Sequence, residues 1–166
     1  MTRLGHDGLR LARDWIGVDE LVGSAVRRLQ RYMPQALVEV HLPNDPLNLY
    51  VHAALIEQAI FNVLENAAKF SPENKPISIQ VSRLKENEME ITISDQGQGI
   101  PENERDRIFD MFYTMERGDR GQHGTGLGLS IVKAIIGAHM GTISASSLSH
   151  NQGTCIRMQL LINPLL

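Results

Sequence analysis

Two carboxamides and an ammonium group recur at helical spacing in one stretch of the sequence. Asn62 and Asn66 are four residues apart, and Lys69 follows three residues later, so a helix would place all three side chains on one face. An amide oxygen is a neutral, hard ligand suited to Mg²⁺, an ion that keeps several waters and bridges phosphates. Lysine adds a point charge for a phosphate. A solvated polar face would explain one asparagine, but the three together indicate a metal-phosphate site.

Two glycine-rich segments follow this stretch. The first, DQGQGI at 95–100, begins with an acid, and the second, GTGLGLS at 124–130, leads into apolar residues. Glycine weakens regular structure unless the backbone must turn sharply or approach another group closely. Either segment alone could be a simple turn. Together with the polar stripe formed by Asn62, Asn66 and Lys69, they predict one ligand held from two sides.

Common nucleotide-binding motifs do not account for these glycines. GTGLGL differs from the dinucleotide pattern G-x-G-x-x-G and has no clear strand before it, which argues against a Rossmann domain. The P-loop pattern G-x-x-x-x-G-K-[ST] does not occur in the sequence. A nucleotide site of another type is therefore expected.

Helical periodicity is clearest at 53–70, the segment that carries the two asparagines. Similar patterns predict helices at 19–33, with Asp19 as a plausible cap, and at 126–140. A short helical turn is expected at 102–112 and a mobile loop at 113–123. Apolar alternation or short apolar runs predict strands at 36–42, 47–51, 77–84, 88–95, 141–148 and 154–162. This mixed order favours an α+β sandwich with helices on one face of a sheet.

Composition narrows the function classes. The 166 residues fit one domain, and the net charge of −3 without a basic run gives no sign of nucleic-acid binding. No apolar run approaches the roughly 20 residues of a membrane helix, so no direct membrane contact is expected. The single cysteine, Cys155, excludes an internal disulfide and fits a reducing compartment.

The ordered motifs resemble those of sensor histidine kinases. NVLENAAKFS is similar to the N box, DQGQGIP to the G1 box, IFDMF to the F box and GTGLGLS to the G2 box. These boxes mark the catalytic and ATP-binding domain, a member of the superfamily that includes gyrase. The resemblance implies the Bergerat fold, a two-layer α/β sandwich in which three helices cover one face of a mixed sheet of about five strands.

The resemblance also implies a role for each matching residue. Asp95 would accept a hydrogen bond from the exocyclic amine of adenine. Asn66 would ligate Mg²⁺, Asn62 would orient the metal or its waters, and Lys69 would reach the phosphates. The segment 113–123 would form the ATP lid. The remaining residues expected at the nucleotide are Phe70, Gly97, Gly99, Ile100, Arg117, Arg120, Gly124, Thr125, Gly126, Leu127, Gly128 and Thr154.

Kinase chemistry fits the sequence better than hydrolysis. In gyrase-type members a glutamate one helical turn before the metal asparagine serves as general base, and Asn62 holds that position here. An amide cannot abstract a proton at neutral pH. None of the six histidines lies in the H-[ED]-x-x-[TN]-P context of a phosphoacceptor. We therefore expect a histidine kinase catalytic domain whose acceptor histidine lies on another domain.

Domain and partner expectations follow from this resemblance. Residues 1–17 would be the remnant of a dimerisation domain or linker, and residues 18–166 the catalytic domain. Expected partners are the protein's own dimerisation and phosphoacceptor domain and a cognate response regulator, within a homodimeric full-length protein. The location would be the cytoplasmic part of a bacterial inner-membrane sensor. The tryptophan followed by VDELVGSA, and FYTMERGDR before the G2 box, resemble the Kdp-type potassium-responsive sensor kinases.

Three alternatives come from neighbouring classes. They are a gyrase-like ATPase, an anti-sigma serine kinase, and a degenerate regulatory module that binds partners without nucleotide. The missing carboxylate at Asn62 argues against the first. The segment from the tryptophan to DELV, residues 15–22, fits a sensor kinase linker and argues against the second. Retention of Asp95, Asn66 and both glycine segments argues against the third.

Overall fold

The computed structural model describes residues 11–110, 128–149 and 152–166. These residues form three α-helices, two 3₁₀ turns and seven strands. The helices are α1 (Val18–Tyr32), α2 (Ala53–Phe70) and α3 (Gly128–Ala138), and the turns are Glu102–Glu104 and Arg107–Phe109. The strands are β1 (Asp14–Gly17), β2 (Val38–His41), β3 (Asn48–Val51), β4 (Ile77–Lys85), β5 (Glu88–Asp95), β6 (Thr142–Ser149) and β7 (Gln152–Leu161).

Five of these strands form a mixed sheet in the order β2-β4-β5-β7-β6. Strands β2 and β4 run parallel, whereas the β4–β5, β5–β7 and β7–β6 pairs are antiparallel. Along β5, Met89, Ile91 and Ile93 are buried and alternate with half-buried polar residues. One face of the sheet is therefore apolar and receives the helices. This architecture confirms the expected α+β sandwich.

Helix α2 packs between α1 and α3 and supplies the centre of the core. Ile56, Ile60 and Leu64 recur at helical spacing and are fully buried, and each buried side chain of this size contributes about 1.5–3 kcal/mol. The amphipathic helix α1 buries Leu21 and Leu29 against it. The polar residues of α2 are thus held on a helix whose position is fixed from both sides. None of the helices in the described ranges is long and apolar enough to cross a bilayer.

Two local features differ from the sequence-based expectations. Helix α1 begins one residue earlier, with Gly17 as its N-cap, and no side chain caps it. Asp19 lies inside the first turn, where its charge still favours the helix dipole, so its assignment as the cap is wrong. Residues 14–17, for which no strand was expected, form β1 and pair with β3 in a separate two-stranded sheet, whereas β2 joins β4. Residues 14–17 thus pack against β3. The domain boundary expected at residue 17 stays a prediction.

Candidate functional site

A buried carboxylate ends the central strand of the sheet. Asp95 is the last residue of β5 and is only 3% exposed, which requires polar partners because burying an unpaired charge is costly. Its Oδ1 accepts a hydrogen bond from the backbone N–H of Gly97 at 2.8 Å. Across the ladder its register partner is Thr154 of β7, which is 2% exposed. The structure therefore brings together two polar residues that the resemblance assigns to the nucleotide.

The first glycine segment is shaped by close backbone contacts. A Cβ at position 97 would collide with the carbonyl oxygen of Phe70. Gly99 has a φ of 85°, a left-handed conformation that favours glycine. The carbonyl oxygen of Gly97 also accepts a hydrogen bond from the N–H of Gly153 at 2.8 Å. These contacts fix the segment between the end of α2 and the start of β7.

The described part of the second glycine segment also lies against α2. Gly128 is the first residue of α3, and its carbonyl oxygen accepts a hydrogen bond from Asn62 Nδ2 at 3.3 Å. Asn62 and Phe70 are eight residues apart, which corresponds to about 12 Å along a helix. Both glycine segments therefore contact the same helix, about two turns apart, and Asn66 lies between the two contacts.

The polar stripe of α2 is graded in its exposure. Asn62 is 9% exposed, whereas Asn66, Lys69 and Phe70 are half-buried. Asn62 Oδ1 accepts a hydrogen bond from Gln58 Nε2 at 2.7 Å. Both ends of the Asn62 amide therefore contact protein groups, and its expected role at the metal stays a prediction.

A metal ion at this site would be coordinated by amide oxygens of the protein and by oxygens of a bound phosphate ligand. Over the described ranges, no group of three or more histidine, cysteine, aspartate or glutamate residues could hold an ion. The half-buried Asn66 offers the carboxamide oxygen that suits Mg²⁺, an ion that is usually held by few protein ligands together with water and phosphates. The donor set therefore fits an ion that arrives with a phosphate ligand.

The segment that follows the first glycine segment, residues 100–109, is fixed to β6 at one edge of the sheet. Ile100 is buried, and its carbonyl oxygen accepts a hydrogen bond from Arg105 Nε at 3.2 Å. Arg105 Nη2 also donates to Ser147 Oγ on β6 at 2.7 Å. Ile108 and Phe109 of the F-box region are buried in the core. The motif residues thus have a packing role, whereas Arg105 carried no sequence signal.

Six residues with expected roles lie outside the described residues, as does the whole lid segment at 113–123. They are Arg117, Arg120, Gly124, Thr125, Gly126 and Leu127.

Two histidines join the start of α2 to the end of α3. His139 Nε2 accepts a hydrogen bond from the backbone N–H of His52 at 3.2 Å, and His139 Nδ1 lies 2.8 Å from the carbonyl oxygen of Ile135. His52 Nδ1 in turn accepts from the N–H of Leu55 and caps α2. Burial lowers the pKa of His139 below its ordinary value, so the ring is neutral and carries its proton on Nδ1. Sequence reasoning missed this contact because its partners are 87 residues apart.

Comparison with known proteins is consistent with this geometry. The family model described as histidine kinase-, DNA gyrase B-, and HSP90-like ATPase matches residues 51–164. The chain belongs to this family of ATPases. The match includes α2, both glycine segments and the strand that contains Thr154.

Individual relatives are sensor kinases. The sensor protein KdpD of Clostridium acetobutylicum is 38% identical over 146 residues, an alignment that covers 87% of this chain and 16% of that protein. The solved structure of the mycobacterial sensor histidine kinase MprB has a TM-score of 0.80 at 28% identity and covers 92% of this chain and 99% of that one. Full-length ShkA in complex with AMPPNP shares the fold, with a TM-score of 0.81 at 20% identity over 96% of this chain and 33% of its own. The chain is thus an ATPase-family domain of the sensor histidine kinase type.

Proposed function

We propose that the chain binds Mg²⁺-ATP and provides the γ-phosphoryl group for transfer to a histidine on a separate dimerisation domain. The observation that carries this proposal is the contact of both glycine segments with α2, at Phe70 and at Asn62. A ligand between these contacts would have buried Asp95 at one end and the first turn of α3 at the other. Such an elongated site suits a nucleoside triphosphate.

The adenine would bind at the end of β5. Asp95 would accept a hydrogen bond from the exocyclic amine, and Thr154 would lie on the same side. Guanine presents a carbonyl at that position, so a carboxylate there selects against GTP. Gly97, Gly99 and Ile100 would let the backbone approach the purine closely. Support for this end is the burial of Asp95 and its hydrogen bond to Gly97.

The phosphates would bind near Asn66 and the beginning of α3. Mg²⁺, when bound, would neutralise part of the phosphate charge. Asn66 would hold it through the carboxamide oxygen, and Asn62 would orient its waters. Lys69 would contact a phosphate, and Phe70 would lie against the nucleotide. The N-terminus of α3 at Gly128 would favour anions through its backbone N–H groups and its dipole. The roles of Arg117, Arg120, Gly124, Thr125, Gly126 and Leu127 are proposed from the resemblance alone.

Transfer to histidine is favoured over hydrolysis because an amide, which cannot abstract a proton at neutral pH, occupies the position of the general base of gyrase-type members. The position one turn before Asn66 holds Asn62, whose amide atoms both have protein partners. In transfer, a neutral imidazole nitrogen forms the bond to the γ-phosphorus while the bond from that phosphorus to the bridging oxygen breaks, and ADP leaves. The imidazole proton is released to solvent. Alignment and charge neutralisation suffice for this reaction.

The whole protein would be larger than this domain, because the chain covers 16% of the KdpD relative. We propose residues 18–166 as the catalytic domain and residues 1–17 as the end of a dimerisation segment. The partners would be that dimerisation domain and a response regulator, within a homodimeric bacterial inner-membrane sensor whose kinase part is cytoplasmic. A Kdp-type, potassium-responsive sensor is the proposed subclass.

Calorimetric titration of the chain with ATP, with and without Mg²⁺, tests the proposal. We expect saturable binding to a single site, tighter with Mg²⁺ than in EDTA, and weaker binding of GTP. Absence of ATP binding by a folded chain would contradict the proposal and would favour a regulatory module without nucleotide.

A further inference from the structure

A line of side-chain hydrogen bonds crosses from α1 through α2 to α3. Arg28 Nη1 donates to Gln58 Oε1 at 2.8 Å, and Gln58 Nε2 donates to Asn62 Oδ1 at 2.7 Å. Asn62 Nδ2 then donates to the carbonyl oxygen of Gly128 at 3.3 Å. We call these four residues the amide relay. It connects a helix outside the nucleotide motifs to the first residue of the helix at the proposed phosphate site.

The direction of the amide relay is fixed at both ends. Arg28 can only donate, because a guanidinium has no acceptor, and a backbone carbonyl such as that of Gly128 can only accept. Gln58 must therefore turn its oxygen to Arg28 and its nitrogen to Asn62. Asn62 must then accept from Gln58 and donate to Gly128. Reversing either amide would place two donors or two acceptors against each other.

The donating end of the amide relay is held in place by two further contacts. Arg28 Nη1 lies 3.3 Å from Glu57 Oε1, with the two side chains 32% and 19% exposed. Its guanidinium also lies over the ring of Phe61, 3.9 Å from the centroid, a stacking geometry that favours arginine. Arg28 of α1 is therefore held in a defined position against α2 and is not a freely moving surface charge.

We propose that Arg28 and Gln58 are positioning residues that set the orientation of the Asn62 carboxamide. This inference rests on the proposed nucleotide function. With the relay intact, Asn62 holds the first turn of α3 against α2, and its oxygen keeps one lone pair for a metal-bound water. Without it, the amide of Asn62 can rotate and the gap between the two helices is no longer fixed. A displacement of α1 would have the same effect, because the relay begins there.

The change Gln58→Glu tests the orientation with almost no change of shape. The carboxylate would still accept from Arg28, but it could no longer donate to Asn62. Asn62 would then turn its nitrogen to Glu and its oxygen to the carbonyl of Gly128, which creates a repulsive contact. We expect the Kd for Mg²⁺-ATP to rise about tenfold. Gln30→Glu, the same chemical change at an exposed position of α1, is the matched control and should leave the Kd unchanged.

Substitution at Arg28 separates orientation from packing. Arg28→Lys keeps a donor-only group, whereas Arg28→Met keeps a long side chain without a donor. We expect the lysine variant to bind Mg²⁺-ATP within about twofold of wild type and the methionine variant to bind several-fold more weakly, since methionine loses the charged hydrogen bonds to Gln58 and Glu57. Equal Kd values for these two variants would overturn the inference, because packing alone would then explain the position of Arg28.

A nuclear magnetic resonance measurement of the side-chain amide signals of Asn62, made without nucleotide, reads the relay directly. Gln58→Glu and Arg28→Met should shift these signals, and Gln30→Glu should not. Unshifted signals in both relay variants would overturn the inference whatever the ATP result. If the wild-type chain binds no ATP while the two relay variants show the expected shifts, only the proposed nucleotide function is overturned.

Discussion

The backbone N–H of Gly153 donates a hydrogen bond to the carbonyl oxygen of Gly97 at 2.8 Å. Because a Cβ at Gly97 would meet the carbonyl oxygen of Phe70, the same residue is confined on its other side by the end of α2. The loop after β5 is therefore fixed by two elements that are distant in sequence. Its shape depends on the absence of a side chain at position 97.

Substitution of Gly97 tests this arrangement. Gly97→Ala should move the loop away from Phe70, destabilise the protein by about 1–3 kcal/mol as overpacking does, and weaken ATP binding. Thermal unfolding and calorimetry measure the two effects. Gly137→Ala on α3 is the matched control, because a Cβ there has no atom within 4 Å and alanine favours a helix by up to about 1 kcal/mol. Normal ATP affinity in Gly97→Ala would show that the loop does not approach the nucleotide.

Asp95→Asn tests the adenine contact without removing the loop contact. The asparagine oxygen can still accept from the N–H of Gly97, while its amide nitrogen takes the place of the second carboxylate oxygen. A donor would then face the adenine amine, at a cost of about 1–3 kcal/mol, which corresponds to roughly tenfold or more in Kd. Asp106→Asn, at an exposed position, is the control. Unchanged ATP binding in folded Asp95→Asn would remove this residue from the site.

Asn66→Ala distinguishes a metal ligand from a structural residue. The substitution should weaken binding of Mg²⁺-ATP much more than binding of ADP measured in EDTA, because only the first ligand uses the carboxamide oxygen. Calorimetry of both ligands gives the ratio, with Asn74→Ala at an exposed position as the control. Equal losses for the two ligands would indicate that Asn66 supports the fold.

Local patterns in the sequence were sufficient to predict much of this structure. They were not sufficient to predict contacts between residues that are distant in sequence. Helix α2 was predictable because its apolar residues recur at helical spacing over 18 residues, and strands β4 and β5 because both alternate between apolar and polar residues. The pairing of β2 with β4 was not, since nothing within β2 indicates which strand lies beside it. The site divides in the same way. Asp95 and Asn66 lie in recognisable motifs, whereas the partners of Asn62 include Gly128, 66 residues away.

The neutral His139 predicts that stability falls in mild acid. Burial lowers its folded-state pKa below the ordinary value of 6.5, so between these two pKa values the unfolded chain binds a proton that the native protein does not. Stability should therefore be constant with respect to this group above pH 6.5 and should decrease as the pH falls below it, with a slope of at most about 1.4 kcal/mol per pH unit. The decrease should end once the pH is below the folded-state pKa.

His139→Gln isolates this contribution. Glutamine can accept from the N–H of His52 and does not titrate, so the variant should lose part of the pH dependence of its unfolding free energy below pH 6.5. His41→Gln, the same substitution at an exposed position, is the control. Identical profiles for wild type and His139→Gln would contradict the assignment of a buried neutral ring.

The last prediction concerns the proposal that this chain binds ATP while a separate domain carries the acceptor histidine. Incubated with labelled Mg²⁺-ATP, the chain should stay essentially unphosphorylated and should release free phosphate slowly. Asn62 cannot act as a base for water, since a carboxamide does not abstract a proton at neutral pH. In-line attack also needs an acceptor held near the γ-phosphate, and none of the six histidines of the sequence lies in a phosphoacceptor motif.

Adding a dimerisation segment with an acceptor histidine should allow transfer, measured as acid-labile phosphate on that segment. Substitution of its histidine is the control and should abolish the signal. Two results would contradict the proposal. Acid-labile phosphate on this chain alone, lost on substitution of His6 or His123, would place an acceptor within it. Rapid phosphate release that persists through purification would favour an ATPase, because a base other than Asn62 would then have to activate water.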